Sequence, residues 1–192
     1  MVRFFLLPIL LLPLLAVADP SIDRARLDTS GIGYDGVLSV NQAAGDFQQQ
    51  SNARAIAIGP GASAGTGQSQ RLQVRGIDRA LDAGAEILGP AFTGGSGVLG
   101  VNQSAGAATQ QANAMSISLG AVTPRGLDDN ELSQSVAVTN FGSGGAAAIG
   151  ARRVVTDDRA FAGSNGVVQL NQSAGVGNRM ANTLSIRVAD QP

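Results

Sequence analysis

GVLGVNQSAGAATQQANAMSISLG, residues 97–120, places an Asn-Gln pair, a small-residue turn, a Gln pair and a further Asn inside a frame of aliphatic residues. The frame occurs twice more without gaps, as GVLSVNQAAGDFQQQSNARAIAIG at 36–59 and GVVQLNQSAGVGNRMANTLSIRVA at 166–189. The copies begin at Gly36, Gly97 and Gly166, so they lie 61 and 69 residues apart. Self-similarity at a long period marks a repeat architecture, in which one unit cannot bury its own apolar face and must stack on the next. Shorter echoes lie between the copies: SQRLQV (69–74) resembles SQSVAV (133–138), and AFTGGSG (91–97) resembles AFAGSNG (160–166). The longer second spacer places its extra residues near ARRVVTDD, 151–158, in a loop.

Within a copy the apolar period is two, the period of a strand rather than a helix. Leu38, Val40 and Gln42 share one face, as do Leu99, Val101 and Gln103, and Val168, Leu170 and Gln172. In the second half Asn52, Ile56 and Ile58 share a face, matched by Asn113, Ile117 and Leu119 and by Asn182, Ile186 and Val188, while the opposite face is small or polar. Gly45, Gly106 and Gly175 stand between the halves, where a turn can use positive φ. Each copy therefore reads as a strand-turn-strand hairpin.

Stacking equivalent strands at about 4.8 Å sets each amide over its counterpart. Asn41, Asn102 and Asn171 form one column, Gln42, Gln103 and Gln172 a second, and Asn52, Asn113 and Asn182 a third. A buried amide is costly unless bonded, and a ladder supplies a donor and an acceptor at every step. It also fixes register, because a slip of one residue breaks all the amide pairs together.

The remainder of the chain bounds the class. MVRFFLLPILLLPLLAVADP begins with Arg3, continues as an apolar run and reaches Ala16-Val17-Ala18. This is the anatomy of a secretory signal peptide over 1–18, too short in its apolar run to span a bilayer. The charged segment 19–35 is then expected to cap a β-repeat domain over 36–192, leaving the third hairpin as the open edge. An exported chain with no Cys cannot be stapled by disulfides. Aromatic residues make up 4% and Gly contributes 26, a composition for close strand packing rather than a large conventional core. A formal charge of −1 points to neither nucleic acid nor anionic membrane as partner.

The segments VNQAAGDFQQQSNA and VNQSAGAATQQANA resemble the repeats of Fap-type bacterial functional amyloid proteins and, more distantly, curlin repeats. That resemblance implies export through an outer-membrane secretion pore, assembly with itself or related fibre subunits, and a place at the cell surface in biofilm fibres. The third copy carries Arg179 and Met180 where the others carry Gln, so both a fibre subunit and an accessory adhesin are consistent with it.

Enzymatic readings find little footing. With His and Cys both at 0, no Ser-His-Asp or Cys-His site and no thiolate or imidazole metal site can be built. Glu86 and Glu131, with Asp128 or Asp129, are the only basis for a paired-carboxylate site. GSGVLG (95–100) fits G-x-G-x-x-G, but the other copies lose its third Gly. LDDNE (127–131) lacks the alternating ligands of a calcium loop. The sequons at Asn102 and Asn171 fall inside the ladder motif, which explains them better. The expectation is an all-β chain of three stacked strand-turn-strand repeats forming a short β-solenoid-like array. The alternative is a disordered monomer that becomes cross-β on assembly. The expected function is structural or adhesive, in extracellular amyloid-like fibres, with no enzyme activity, cofactor, metal or small-molecule substrate. A folded module binding a surface glycan or protein is the alternative.

Overall fold

The computed structural model describes residues 21–77, 81–120, 132–139 and 150–188. The segment read as a signal peptide, and Asp128, Asp129 and Glu131, lie outside the described residues. The strands run in chain order as β1 (Ile22–Asp28), β2 (Asp35–Ala44), β3 (Gln49–Ile58), β4 (Gln68–Arg75), β5 (Asp82–Leu88) and β6 (Ser96–Ala107). They continue as β7 (Gln110–Leu119), β8 (Leu132–Thr139), β9 (Arg152–Thr156), β10 (Asn165–Val176) and β11 (Arg179–Val188). The described residues contain no helix, so the all-β expectation holds for them.

Every pairing joins a strand to its counterpart in another repeat, in parallel and in register. The first sheet is β1-β5-β9, the second β2-β6-β10, the third β3-β7-β11 and the fourth β4-β8. Asn41 pairs with Asn102 and Asn102 with Asn171, and Asn52 pairs with Asn113 and Asn113 with Asn182. The two halves of a copy therefore lie in different sheets. What the sequence suggested as a hairpin is a turn between two stacks, because each half finds a better ladder partner in its own counterpart. The sheets are open, each ending on edge strands, and the chain is arranged as three layers: β1 to β4, β5 to β8, and β9 to β11.

Alternation decides what each sheet buries. In the Asn-Gln dipeptide the two side chains point to opposite faces, as successive residues on a strand must. The Gln face of the second sheet, with Leu99 and Val101, packs on the first sheet in a cluster with Tyr34, Ile87, Ala91 and Phe92. An alanine cluster of Ala25, Ala83, Ala85, Ala105 and Ala107 with Leu81 continues that contact, the small side chains allowing the sheets to approach closely. The Asn face of the second sheet meets the third. Phe92 and Phe161 stack at the corner between β5 and β6 and its counterpart, with ring centroids 5.4 Å apart.

In the charged N-terminal segment IDRARLD alternates, with Ala25 buried and Arg24 and Arg26 exposed, and it forms β1, an edge strand paired to β5. One expectation is corrected: the extra residues of the second spacer are not at 151–158, since Arg152–Thr156 is β9, in register with β5. Gln49 pairs with Gln110, Gln68 with Leu132 and Ala83 with Arg152, so the offset grows from 61 to 64 to 69 residues on either side of β8.

Candidate functional site

The amide columns occupy the spaces between sheets. In the Asn column of the second sheet, Asn102 Nδ2 donates to Asn41 Oδ1 and Asn171 Nδ2 donates to Asn102 Oδ1, both at 3.0 Å. In that of the third sheet, Asn113 Nδ2 donates to Asn52 Oδ1 and Asn182 Nδ2 to Asn113 Oδ1, again at 3.0 Å. The two columns are cross-linked within each layer, by Asn52 to Asn41 at 2.7 Å, Asn113 to Asn102 at 3.0 Å and Asn182 to Asn171 at 3.0 Å. Backbone carbonyls hold the amide nitrogens as well: Asn102 donates to Ser51 O and Asn171 to Ala112 O.

The Gln column lies on the other side of the second sheet. Gln103 donates to Gln42 Oε1 at 2.7 Å and Gln172 to Gln103 Oε1 at 2.8 Å. Their amide nitrogens also reach carbonyls of the first sheet, Gln42 to Arg26 O, Gln103 to Ala25 O and Glu86 O, and Gln172 to Ala85 O and Val155 O. Gln103 thus ties two sheets and two layers together. Asn102, Gln103 and Asn113 are 0% exposed, so their desolvation is complete and their hydrogen bonds are obligatory.

All nine expected ladder residues are brought together in these columns. The three turn glycines form a column of their own. They have φ of +95°, +113° and +128° at Gly45, Gly106 and Gly175, and a β-carbon on Gly106 would lie 2.1 Å from Gly175 O. The close approach of turn to turn, as well as the left-handed backbone, requires glycine there.

Further amides join the site. Gln50 Nε2 donates to Gln111 Oε1 at 2.9 Å, and Gln110 to Gln49 Oε1 at 2.7 Å. The Gln pair in the first two copies was the available signal for both. The Gln50 column ends at Met180, whose sulfur lies 3.8 Å from Gln111 Nε2. Gln169, 6% exposed and paired with Gly100 in the second sheet, donates to Ala114 O at 3.0 Å. Arg54 occupies the position held by Met115 and Leu184 in the other layers. Its guanidinium donates to Ser39 Oγ and Leu38 O, Nε has no acceptor, and burial pulls its pKa down. Among the described residues no group of three or more acidic side chains could hold a metal ion.

The amide columns run in register through all three layers, fully buried in the middle one, and end on edge strands of open sheets. The family model of the functional amyloid protein FapB/FapC family matches residues 15–189. The chain belongs to the FapB/FapC functional amyloid family. That match spans all three amide-bearing copies and the strands between them. No solved structure matches the chain. Membership in the FapB/FapC family agrees with the resemblance carried by the repeats.

Proposed function

We propose that this protein is a secreted structural or adhesive component of extracellular amyloid-like fibres in a bacterial biofilm. The observation that carries the reading is the run of amide columns, bonded in every layer and ending at edge strands. Asn41, Gln42, Asn52, Asn102, Gln103, Asn113, Asn171, Gln172 and Asn182 act as the ladder that orders the chain and its assemblies, and Gly45, Gly106 and Gly175 let the turns stack. Residues 1–18 direct export, and an outer-membrane pore delivers the chain to the cell surface. Its partners are further copies or related fibre subunits, and it needs no cofactor, nucleic acid or small-molecule substrate.

The stacking of equivalent strands in parallel register supports a second reading, in which the layers act as a short solenoid-like module. One chain already stacks equivalent strands on themselves, so a folded module that binds a surface glycan or protein needs no polymer to become ordered. Circular dichroism and sedimentation of the freshly prepared chain from residue 19 onward separate the two. A strand spectrum that remains monomeric at all concentrations supports the binding module. Growth of sedimenting species with retained or increasing strand signal supports the fibre component.

A further inference from the structure

The two ends of the layered array are chemically different and fit each other. The three columns that hold the nine expected amides all donate from a later layer to an earlier one, as does Gln110 to Gln49, while Gln50 to Gln111 runs the other way. The nitrogen positions are fixed independently by donation to backbone carbonyls. The first layer therefore ends with Asn41, Gln42 and Asn52 and the third with Asn171, Gln172 and Asn182, the oxygen of each third-layer residue facing onward. An amide oxygen accepts two hydrogen bonds. Asn102 Oδ1 does so, from Asn113 and Asn171, whereas Asn171 Oδ1 accepts from Asn182 at its end of the column.

Charge and apolar surface show the same asymmetry. Asp23, Ala83 and Arg152 form one column on the first sheet. A β-carbon built on Gly45 would lie 2.5 Å from Asp23 Oδ2, and one on Gly175 3.0 Å from Arg152 Nε, so the two charges sit at equivalent turns of opposite ends. The core positions Ala85 and Leu99 are 0% exposed in the middle layer, while Val154 and Val168, beneath them in the third, are 49% and 41% exposed.

We infer that copies of this chain associate end to end, the third layer of one on the first layer of the next in unbroken register, with Arg152 of one copy paired to Asp23 of the following copy. This rests on the self-assembling reading above and adds its polarity and register. Contact between like ends would turn the meeting strands antiparallel, so the amide columns, the glycine columns and the Asp23–Arg152 column would all lose the parallel register that they keep inside the chain. A contact between unlike ends does not close, so it propagates as a filament. Arg153 comes beside Arg24 of the next copy on the solvent side; that repulsion is between exposed side chains and falls with salt.

Glycine geometry supplies the test. β-Carbons on Gly97 and Gly166 would lie 2.1 and 2.0 Å from the carbonyl oxygens of Gly36 and Gly97, the equivalent glycines one layer earlier. One on Gly36 meets nothing within 4 Å in the single chain, but in the stack it would strike Gly166 O of the preceding copy. Gly33 is the control: it too has positive φ and open space, and so has its middle-layer counterpart Gly94, with stacked layers on both sides. Gly36→Ala should raise the concentration needed for sedimentable assembly by about tenfold or more, while Gly33→Ala assembles like the parent. Because a glycine variant can fail to fold, a charge pair is measured beside it. Asp23→Arg alone and Arg152→Asp alone should each assemble poorly, and an equimolar mixture should recover to within about twofold of the parent, since unlike variants alternate with opposite charges at every contact. Recovery in the mixture supports the inference. A parent that assembles while all variants behave like it overturns the inference and leaves the fibre reading intact; a parent that never assembles overturns that reading and this inference with it.

Discussion

Asn102 and Asn41 stand in one column yet have different obligations. Asn102, fully buried, donates to Asn41 Oδ1 and Ser51 O while its own oxygen accepts from Asn113 and Asn171. Asn102→Asp removes both donations and sets a carboxylate against two oxygens, which should cost about 3 kcal/mol in thermal unfolding of the unassembled chain. Asn41, exposed in the first layer, accepts through Oδ1 from Asn52 and Asn102. Asn41→Asp preserves those acceptances, so its melting temperature should stay near that of the parent. Equal losses would mean that the column does not stabilise the chain through donor and acceptor matching. Arg54 offers a second residue-level test. It places a half-buried cation where the other layers carry Met115 and Leu184, and its Nη2 would lie 2.0 Å from a β-carbon on Gly100. Arg54→Met should stabilise only slightly, by about 0.5 kcal/mol, since an apolar residue of similar volume replaces a partly bonded charge that solvent still screens. Gly100→Ala should be destabilising alone and better tolerated beside Arg54→Met, a coupling that a double-mutant cycle measures directly.

At the level of the element, turns rather than strands carry the tightest constraint. Gly106→Ala would strain a left-handed backbone and drive a β-carbon to 2.1 Å from a neighbouring carbonyl oxygen. Gly177→Ala, at φ +74° with nothing within 4 Å, suffers the backbone strain alone. The second should cost about 1 kcal/mol and the first several, as read from denaturant midpoints. The Gly106 column was legible in the sequence because all three copies keep it at one offset, and the amide columns were legible for the same reason. The partition of those columns between different sheet interfaces was also implicit in strand alternation. It was hidden only by treating the two halves of a copy as partners, since nothing local in the sequence distinguishes a hairpin from a turn that joins two stacks. β1 was obscured for another reason: the charges of IDRARLD stand out in composition, yet Ala25 and Leu27 supply the alternating apolar face that pairs with β5. Arg54 and Gln169 carried no repeat signal at all, because each departs from its counterparts.

For the whole molecule, pH acts with opposite signs on the single chain and on the stack. Burial, and after it the neighbouring Asp46, raises the pKa of Asp23 above its ordinary value of 3.8. The groups around it, Ser21, Gly45, Phe47, Gly76, Ile77, Leu81 and Ala107, are uncharged, so Asp46 is the charged neighbour among the described residues. A carboxyl whose folded pKa is raised binds a proton more readily folded than unfolded. Its penalty is therefore present at neutral pH and is relieved as pH falls through the folded value toward 3.8. Asp28 and Asp157 act oppositely, held low by hydrogen bonds from Arg26 and Arg159, and their contribution is lost only below 3.8. Between neutral pH and 3.8, acidification should thus slightly stabilise the unassembled chain through Asp23. The end-to-end contact needs that same carboxylate ionised opposite Arg152, so over this window association should weaken as pH falls. Asp23→Asn separates the two effects: at pH 7 it should raise the melting temperature of the dilute chain and increase the concentration needed for assembly, with a flatter pH dependence of both. Parallel calorimetry and sedimentation across pH 4 to 7 test this, and a variant that melts higher and also assembles more readily would show that Asp23 is a liability in both states, with no partner across the junction.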